Sequence, residues 1–201
     1  MVYSLKVCGE EPIRDSLEGV RSVRLRRFLD VWNQTRLAED LLPSKDGLDP
    51  LVMARAGLLP HIWLVEVPEN KPPRYRLAGE NIVQIFGRGL RGVSVTELFD
   101  LKGAEIVTTR WRRACKEKLG AYSIGRVYPE NALPYIGERL VLPLIDKKSN
   151  SHFIVGVTDY KMDTETSTDS HLLEFDTPVT FFVSIVNLWA GVMDQNNSEI
   201  I

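Results

Sequence analysis

Two runs of alternating residues around a proline-rich turn constrain this chain most. His61–Val67 (HIWLVEV) sets Ile62 and Leu64 on one side of an extended backbone and His61, Trp63 and Val65 on the other. Arg74–Gly79 (RYRLAG) sets Tyr75 and Leu77 on one side and Arg74, Arg76 and Ala78 on the other. Between them Pro68–Pro73 (PENKPP) reads as a turn. The pattern predicts a β-hairpin. A lone hairpin is marginal in water, so further strands and a cover must come from the rest of the chain.

The strands come later. Ala121–Val127, Arg139–Ile145 (RLVLPLI) and Phe153–Thr158 (FIVGVT) read as strands, with Pro129–Pro134 a turn or loop and Asp146–Asn150 a polar turn. Pro143 inside a strand marks an edge or a bulge. Helices lie between hairpin and triplet. Glu80–Phe86 (ENIVQIF) has helical spacing, and Ser94 or Thr96 can cap a short turn through Glu97, Leu98 and Phe99. Gly103–Leu119 is a longer helix whose inward stripe is Val107, Trp111, Ala114 and Lys118, with Cys115 and Leu119 beside it; Gly120 is its expected end. Two strands, helices, then three strands predict one antiparallel sheet covered on one face, an α+β architecture.

Between the hairpin and the long helix stands GRGLRG (87–92), a literal G-x-G-x-x-G. In a dinucleotide fold those glycines follow a strand and open a helix, so that its N-terminal N–H groups face the phosphate. Here they follow a helical run, and Gly87 reads as its left-handed C-cap. Glu105 stands near the offset of the ribose-binding acid, but in helical surroundings. The motif is read as punctuation.

The flanks are less regular. Residues 1–18 look irregular. A helix is expected over residues 19–40, with Val20, Val23, Phe28, Val31, Trp32 and Thr35 near one face. Its arginines, Arg21, Arg24, Arg26 and Arg27, alternate with acids and read as a solvated face. After a loop at Leu41–Gly47, Asp49-Pro50 opens a short helix that ends near Gly57. Thr164–Ser170 is a polar linker. Val179–Met193 (VTFFVSIVNLWAGVM) is the most apolar stretch. It is shorter than the ~20 residues of a membrane-spanning helix. A packed or dimerising helix over 178–193 is expected, with a strand left open because β-branched and aromatic residues abound. The expected division is therefore 1–18, a domain over 19–163, and a tail over 164–201.

The chain has 201 residues and a net charge of -2, which gives no bulk attraction to nucleic acid or an anionic membrane. Cys8 and Cys115 form no metal-type cluster. Without the apolar core of a signal peptide near Met1, a cytoplasmic location is expected.

The order of elements matches a PAS domain, and the residues resemble a bacterial PAS-like family often found as stand-alone proteins. The resemblance rests on Leu59-Pro60-His61 before the first strand and on Tyr75-Arg76-Leu77-Ala78-Gly79. It continues through Phe86-Gly87-Arg88-Gly89-Leu90-Arg91-Gly92 and Leu140-Val141-Leu142-Pro143-Leu144. It covers about Phe28 to Tyr160. The resemblance implies a five-stranded antiparallel sheet, a small cavity between sheet and helices, a sensory or interaction role, and dimerisation through flanking helices.

Specific chemistry is harder to find. Flavin-binding PAS domains of the photoreceptor type carry a cysteine in an Asn-Cys-Arg-Phe context, whereas Cys115 sits in Arg113-Ala114-Cys115-Lys116 at the edge of an apolar stripe. Haem-binding ones use a histidine on the long helix, and Gly103–Leu119 has none. Neither cofactor is expected. His61, His152 and His171 are too dispersed for a metal site. No G-x-S-x-G is present, and Asp159 and Asp163 near His152 make no triad on spacing alone. A third reading, an enzyme, requires His61, Arg76 and a carboxylate to converge. Trp63, Tyr75, Phe86, Val107, Trp111 and Tyr122 are candidate walls of a ligand pocket, with Ile82 and Leu98 beside them, and each also reads as core. Arg76, with Arg88 and Arg139 as lesser candidates, needs a carboxylate partner, either on a ligand or on the protein at Glu66 or Glu80. The expectation is a non-catalytic sensory or interaction module. It acts in trans on a second subunit or a signalling partner through its flanking helices, with an acid-binding sensor as the alternative.

Overall fold

The structure, a computed structural model, describes residues 11–17, 19–35, 42–128, 135–162 and 178–188. Its strands are β1 (Ile13–Arg14), β2 (Ile62–Glu66), β3 (Arg74–Ala78), β4 (Leu119–Arg126), β5 (Tyr135–Asp146), β6 (Ser151–Met162) and β7 (Val179–Ser184). Its helices are α1 (Val23–Gln34), α2 (Pro50–Arg55), α3 (Glu80–Phe86) and α4 (Leu101–Glu117). One sheet runs β1-β7-β4-β5-β6-β2-β3. The expected hairpin and triplet form five adjacent strands, β4-β5-β6-β2-β3, antiparallel throughout. Two strands extend that set at the β4 edge: β7 pairs antiparallel with β4, and β1 pairs parallel with β7.

The sheet is covered on both faces, where cover on one was expected. The inner layer is α3 and α4, whose Ile82, Ile85, Trp111, Ala114 and Cys115 meet Trp63, Val65, Ala121, Val141, Ile154 and Phe182. The outer layer is α1 and α2. Leu25, Phe28, Val31 and Trp32 recur at helical spacing and pack with Met53 on Tyr122, Leu140, Leu142, Val155 and Phe181. A sheet covered twice needs strands apolar on both faces, which is why VLPLI and FIVGV read as continuous runs. The α1 stripe differs from the expected one: Val23 is exposed and Leu25 is in the core.

The apolar tail is a strand where it was expected to be a helix. Phe181 and Val183 face the outer layer and Phe182 faces the inner one, and the chain turns helical at 185–188. The segment 1–18 is not wholly irregular either. Phe182 N donates to the Pro12 carbonyl at 2.8 Å, and Glu11, nearly buried, accepts from Arg110 Nε at 2.5 Å. The arginines of α4 are thus partly spent inside the domain, and Arg113 also lies over the Phe182 ring.

Several local expectations have direct physical readings. Gly87 has φ 64° and caps α3, so GRGLRG closes a helix; Leu90 is buried and Gly92 sits at φ 83°. Lys118, at φ 55°, ends α4, where Gly120 was expected to. Gly120 lies in β4, where a Cβ would come within 2.8 Å of Leu188 Cδ1. Pro143, expected to mark an edge or a bulge, lies in β5 between β4 and β6, opposite Ile154 with no shift of register, and its carbonyl accepts from Trp32 Nε1 at 3.3 Å. The turn expected at 129–134, the linker at 164–170, Cys8, Asp163, His171 and the stretch beyond 188 lie outside the described residues. Among the described residues no helix is long and apolar enough to cross a membrane.

Candidate functional site

The motif residues first build a joint between β2, β3 and α3. Leu59-Pro60-His61 forms a 3-10 turn into β2. Gly79 lies so close beneath it that a Cβ would sit 2.0 Å from the Leu59 carbonyl oxygen. Gly79 N donates to the Ile62 carbonyl at 2.8 Å. The Leu-Pro-His and the glycine of Tyr-Arg-Leu-x-Gly are thus two halves of one close approach.

This joint fixes His61. The Thr158 carbonyl can only accept, so Nδ1–H donates to it at 3.2 Å; Nε2 then accepts from the Asn81 side-chain amide at 3.1 Å. Burial, then the nearby Arg24 charge, push the imidazole below its ordinary value, against the smaller pull of the Thr158 hydrogen bond and Asp159. Tyr160 stands edge-on to the ring and donates its hydroxyl to the Asn81 carbonyl at 2.9 Å. Burial pushes the Tyr160 phenol up to about 12.

On the inner face, Trp63, Tyr75 and Trp111 form a trio with ring centroids 5.4–6.2 Å apart. Trp63 lies flat on Gly156, where a Cβ would meet the indole at 2.1 Å. Its Nε1–H donates to Thr158 Oγ1 at 3.3 Å. Arg139 Nε donates to the same hydroxyl at 3.2 Å, Arg139 Nη2 donates to the Val127 carbonyl, and the guanidinium carbon lies 4.7 Å from the Tyr128 ring centroid. Ser123 and Thr180 share a hydrogen bond of 2.9 Å on the neighbouring strands. Around this polar floor stand rings: Phe86 against Phe99 and Tyr128, and Tyr128 against Tyr135 and Tyr160. Phe86, Leu98, Phe99, Val107, Tyr135 and Tyr160 pack on the inner core yet stay part-exposed. The Tyr128 hydroxyl is buried and has no hydrogen-bond partner among the described residues.

On the outer face lies a second polar cluster. Glu138, a charge 6% exposed in β5, accepts from Arg21 N at 3.0 Å, Ser22 N at 3.1 Å and the Tyr122 hydroxyl at 2.8 Å. Its cross-strand partner Asp159 accepts from Ser22 Oγ at 2.5 Å and pairs with Arg24. Ser22 is the N-cap of α1, its Oγ accepting from Leu25 N at 3.2 Å. Two carboxylates therefore hold the start of α1, where the helix dipole favours negative charge. Burial and Glu138 push the Tyr122 phenol strongly upward.

The expected wall residues thus divide. Trp63, Tyr75, Phe86, Val107 and Trp111 share the inner layer. Tyr122 belongs to the outer one, because the β4 alternation turns it toward α1. Arg76 does not face the interior. The β2–β3 register passes from Leu64↔Leu77 to Val65↔Tyr75, leaving Arg76 as the extra residue of a bulge. That bulge also separates Tyr75, buried inside, from Leu77, 44% exposed. Arg76 pairs with Glu66 at the surface, and Arg88, also exposed, reaches the Glu97 carbonyl at 3.4 Å. Arg139 alone of the three lies on the inner floor. His61 and Arg76 act on opposite ends of β2, so these two do not converge on a shared carboxylate.

Cys115 is buried, donates to the Phe153 carbonyl at 3.6 Å, and is pushed up to about 12 by burial, so it carries no thiolate at neutral pH. Among the described residues no group of three or more His, Cys, Asp or Glu is placed to hold a metal. Sequence reading passed over Tyr128, Thr158 and Glu138. The last had a signal, a lone acid within an apolar strand (YIGERLVLPLI).

A five-stranded antiparallel set with helices laid over an inner floor defines an α+β domain. Residues 20–159 match the family model described as PAS domain, and the chain belongs to that family. No curated protein and no solved structure matched the chain.

Proposed function

We propose that this chain is a non-catalytic sensory module that reads a small molecule on the inner face of its sheet and reports by protein–protein contact. PAS domains are in general sensory or signalling modules. The observation that carries the reading for this chain is the path through β6. Thr158 faces inward and its hydroxyl joins Arg139 and Trp63. Asp159, the next residue, faces outward and holds Ser22 and Arg24 of α1. The Thr158 carbonyl holds His61 as well. A molecule that repositions the floor acts on consecutive backbone groups whose other contacts set the start of α1.

The output surface is the exposed side of α1. Its apolar face is committed to the sheet, with Leu25, Phe28 and Trp32 fully buried, and β7 is committed likewise. Val23, Arg24 and Arg27 remain, flanking with Ala56 and Gly57 an open depression of about 340 Å³ that reaches Asp159. A second subunit or a signalling partner would dock there. Native mass spectrometry of the purified full chain is expected to show a stoichiometric small mass released on denaturation. Uniformly ligand-free protein whose α1 surface still engages a second copy would instead make it an interaction module without a sensor.

A further inference from the structure

We propose that the inner floor at Arg139 and Tyr128 is an anion subsite, built to take the carboxylate of a small organic acid whose apolar body lies against Phe86, Leu98 and Val107. The assignment rests on the sensory reading above and specifies its ligand class.

Arg139 is part-buried, and its guanidinium carries five N–H donors. Two are used, by Thr158 Oγ1 and the Val127 carbonyl, both neutral acceptors. No carboxylate lies within ion-pair distance of it among the described residues, where Arg24, Arg74, Arg76, Arg110 and Arg113 each have one. A part-buried arginine left without an anion favours a counter-charge. The face of Tyr128 supplies only part of it.

The Tyr128 hydroxyl makes the second, independent argument. Tyr128 is 5% exposed and its oxygen has no partner among the described residues. Leaving such a group unpaired is unfavourable, so an occupant that accepts from it is favoured. A carboxylate can accept from the Arg139 fork and from a phenol at once, and it matches the planar guanidinium. A neutral ligand satisfies the phenol and leaves the charge unanswered. The rest of the wall is aromatic or aliphatic and part-exposed, which suits an apolar body and gives it a way in.

The probe is phenylacetate, with phenylacetamide as its uncharged match, titrated into the full chain. The reporter is the Trp63 indole N–H resonance, assigned by Trp63→Phe, because that group bonds the same Thr158 hydroxyl as Arg139. The expected result is a saturable shift with phenylacetate and binding at least about tenfold weaker for the amide. Arg139→Gln should abolish the shift, and Tyr128→Phe should weaken it about tenfold while leaving the fold intact by thermal melt. Should Arg139→Gln not fold, Tyr128→Phe and the amide comparison decide alone. Equal binding of acid and amide, or undiminished binding in a folded Arg139→Gln, overturns the anion subsite but leaves the sensory reading standing. So does a neutral ligand recovered from the native protein. No shift with phenylacetate, benzoate or hexanoate, together with ligand-free protein, overturns both.

Discussion

Removing the Glu138 carboxylate gives the sharpest test of how the domain holds its first helix. In Glu138→Ala the Tyr122 hydroxyl, on a residue 2% exposed, loses the one acceptor it has among the described residues. A stranded buried hydroxyl costs about 1–3 kcal/mol. The N–H groups of Arg21 and Ser22 lose a charged acceptor as well, but they are only part-buried and water recovers some of that. The sum is about 3 kcal/mol, a large part of the ~5–15 kcal/mol of a typical domain. Urea unfolding at pH 7 should show a lower midpoint at unchanged slope. Glu138→Gln, which keeps an acceptor and a donor in place, should lose about 1 kcal/mol. Adding Tyr122→Phe to Glu138→Ala should restore about 1–2 kcal/mol, because it removes the stranded group. A Glu138→Ala variant within about 0.5 kcal/mol of the parent, or no coupling to Tyr122, would refute the clamp.

Three further outcomes follow from the same geometry. Gly79→Ala places a methyl against the Leu59 carbonyl, where backbone must move, and should cost about 3 kcal/mol or more, whereas Gly87→Ala, in open space at φ 64°, should cost about 1–2 kcal/mol; chemical denaturation separates them. His61 is held below its ordinary 6.5, so the unfolded chain binds its proton more readily, and stability should fall as pH drops below that value; His61→Gln should remove that part of the slope. Deleting residues 178–201 removes β7 with buried Phe181, Phe182 and Val183, and should strongly destabilise the domain by calorimetry; a stable truncated chain would place β7 outside the core.

How much of this was legible in the chain can be traced residue by residue. The hairpin, α3 with its Gly87 cap, and the β5–β6 pair were readable because each carries a local signal: period-2 alternation, a glycine after a helical run, a polar turn. The tail was harder. In Phe181, Phe182 and Val183 both strand faces are buried, and a continuous apolar run does not distinguish strand from helix. Leu77 was misplaced, set beside Tyr75 by alternation, because a bulge adds one residue and flips the side chains after it, and no alternation count reveals that; Arg76 pairs with Glu66, one of its two expected protein partners. The inner site was half legible. Its aromatic walls were named, but Thr158 and Tyr128 look ordinary in sequence. Their roles come from the register that sets Thr158 opposite Arg139 and from the ring of Tyr128 beneath the guanidinium.

The coupling between inner floor and outer helix is best tested by hydrogen exchange across residues 20–34 in the parent and in Thr158→Val. That change keeps shape and removes only the hydroxyl shared by Arg139 and Trp63. Faster exchange in the first turn of α1, on the far side of the sheet, is the predicted result. Unchanged exchange there, with the response confined to β5 and α4, would contradict the proposed path.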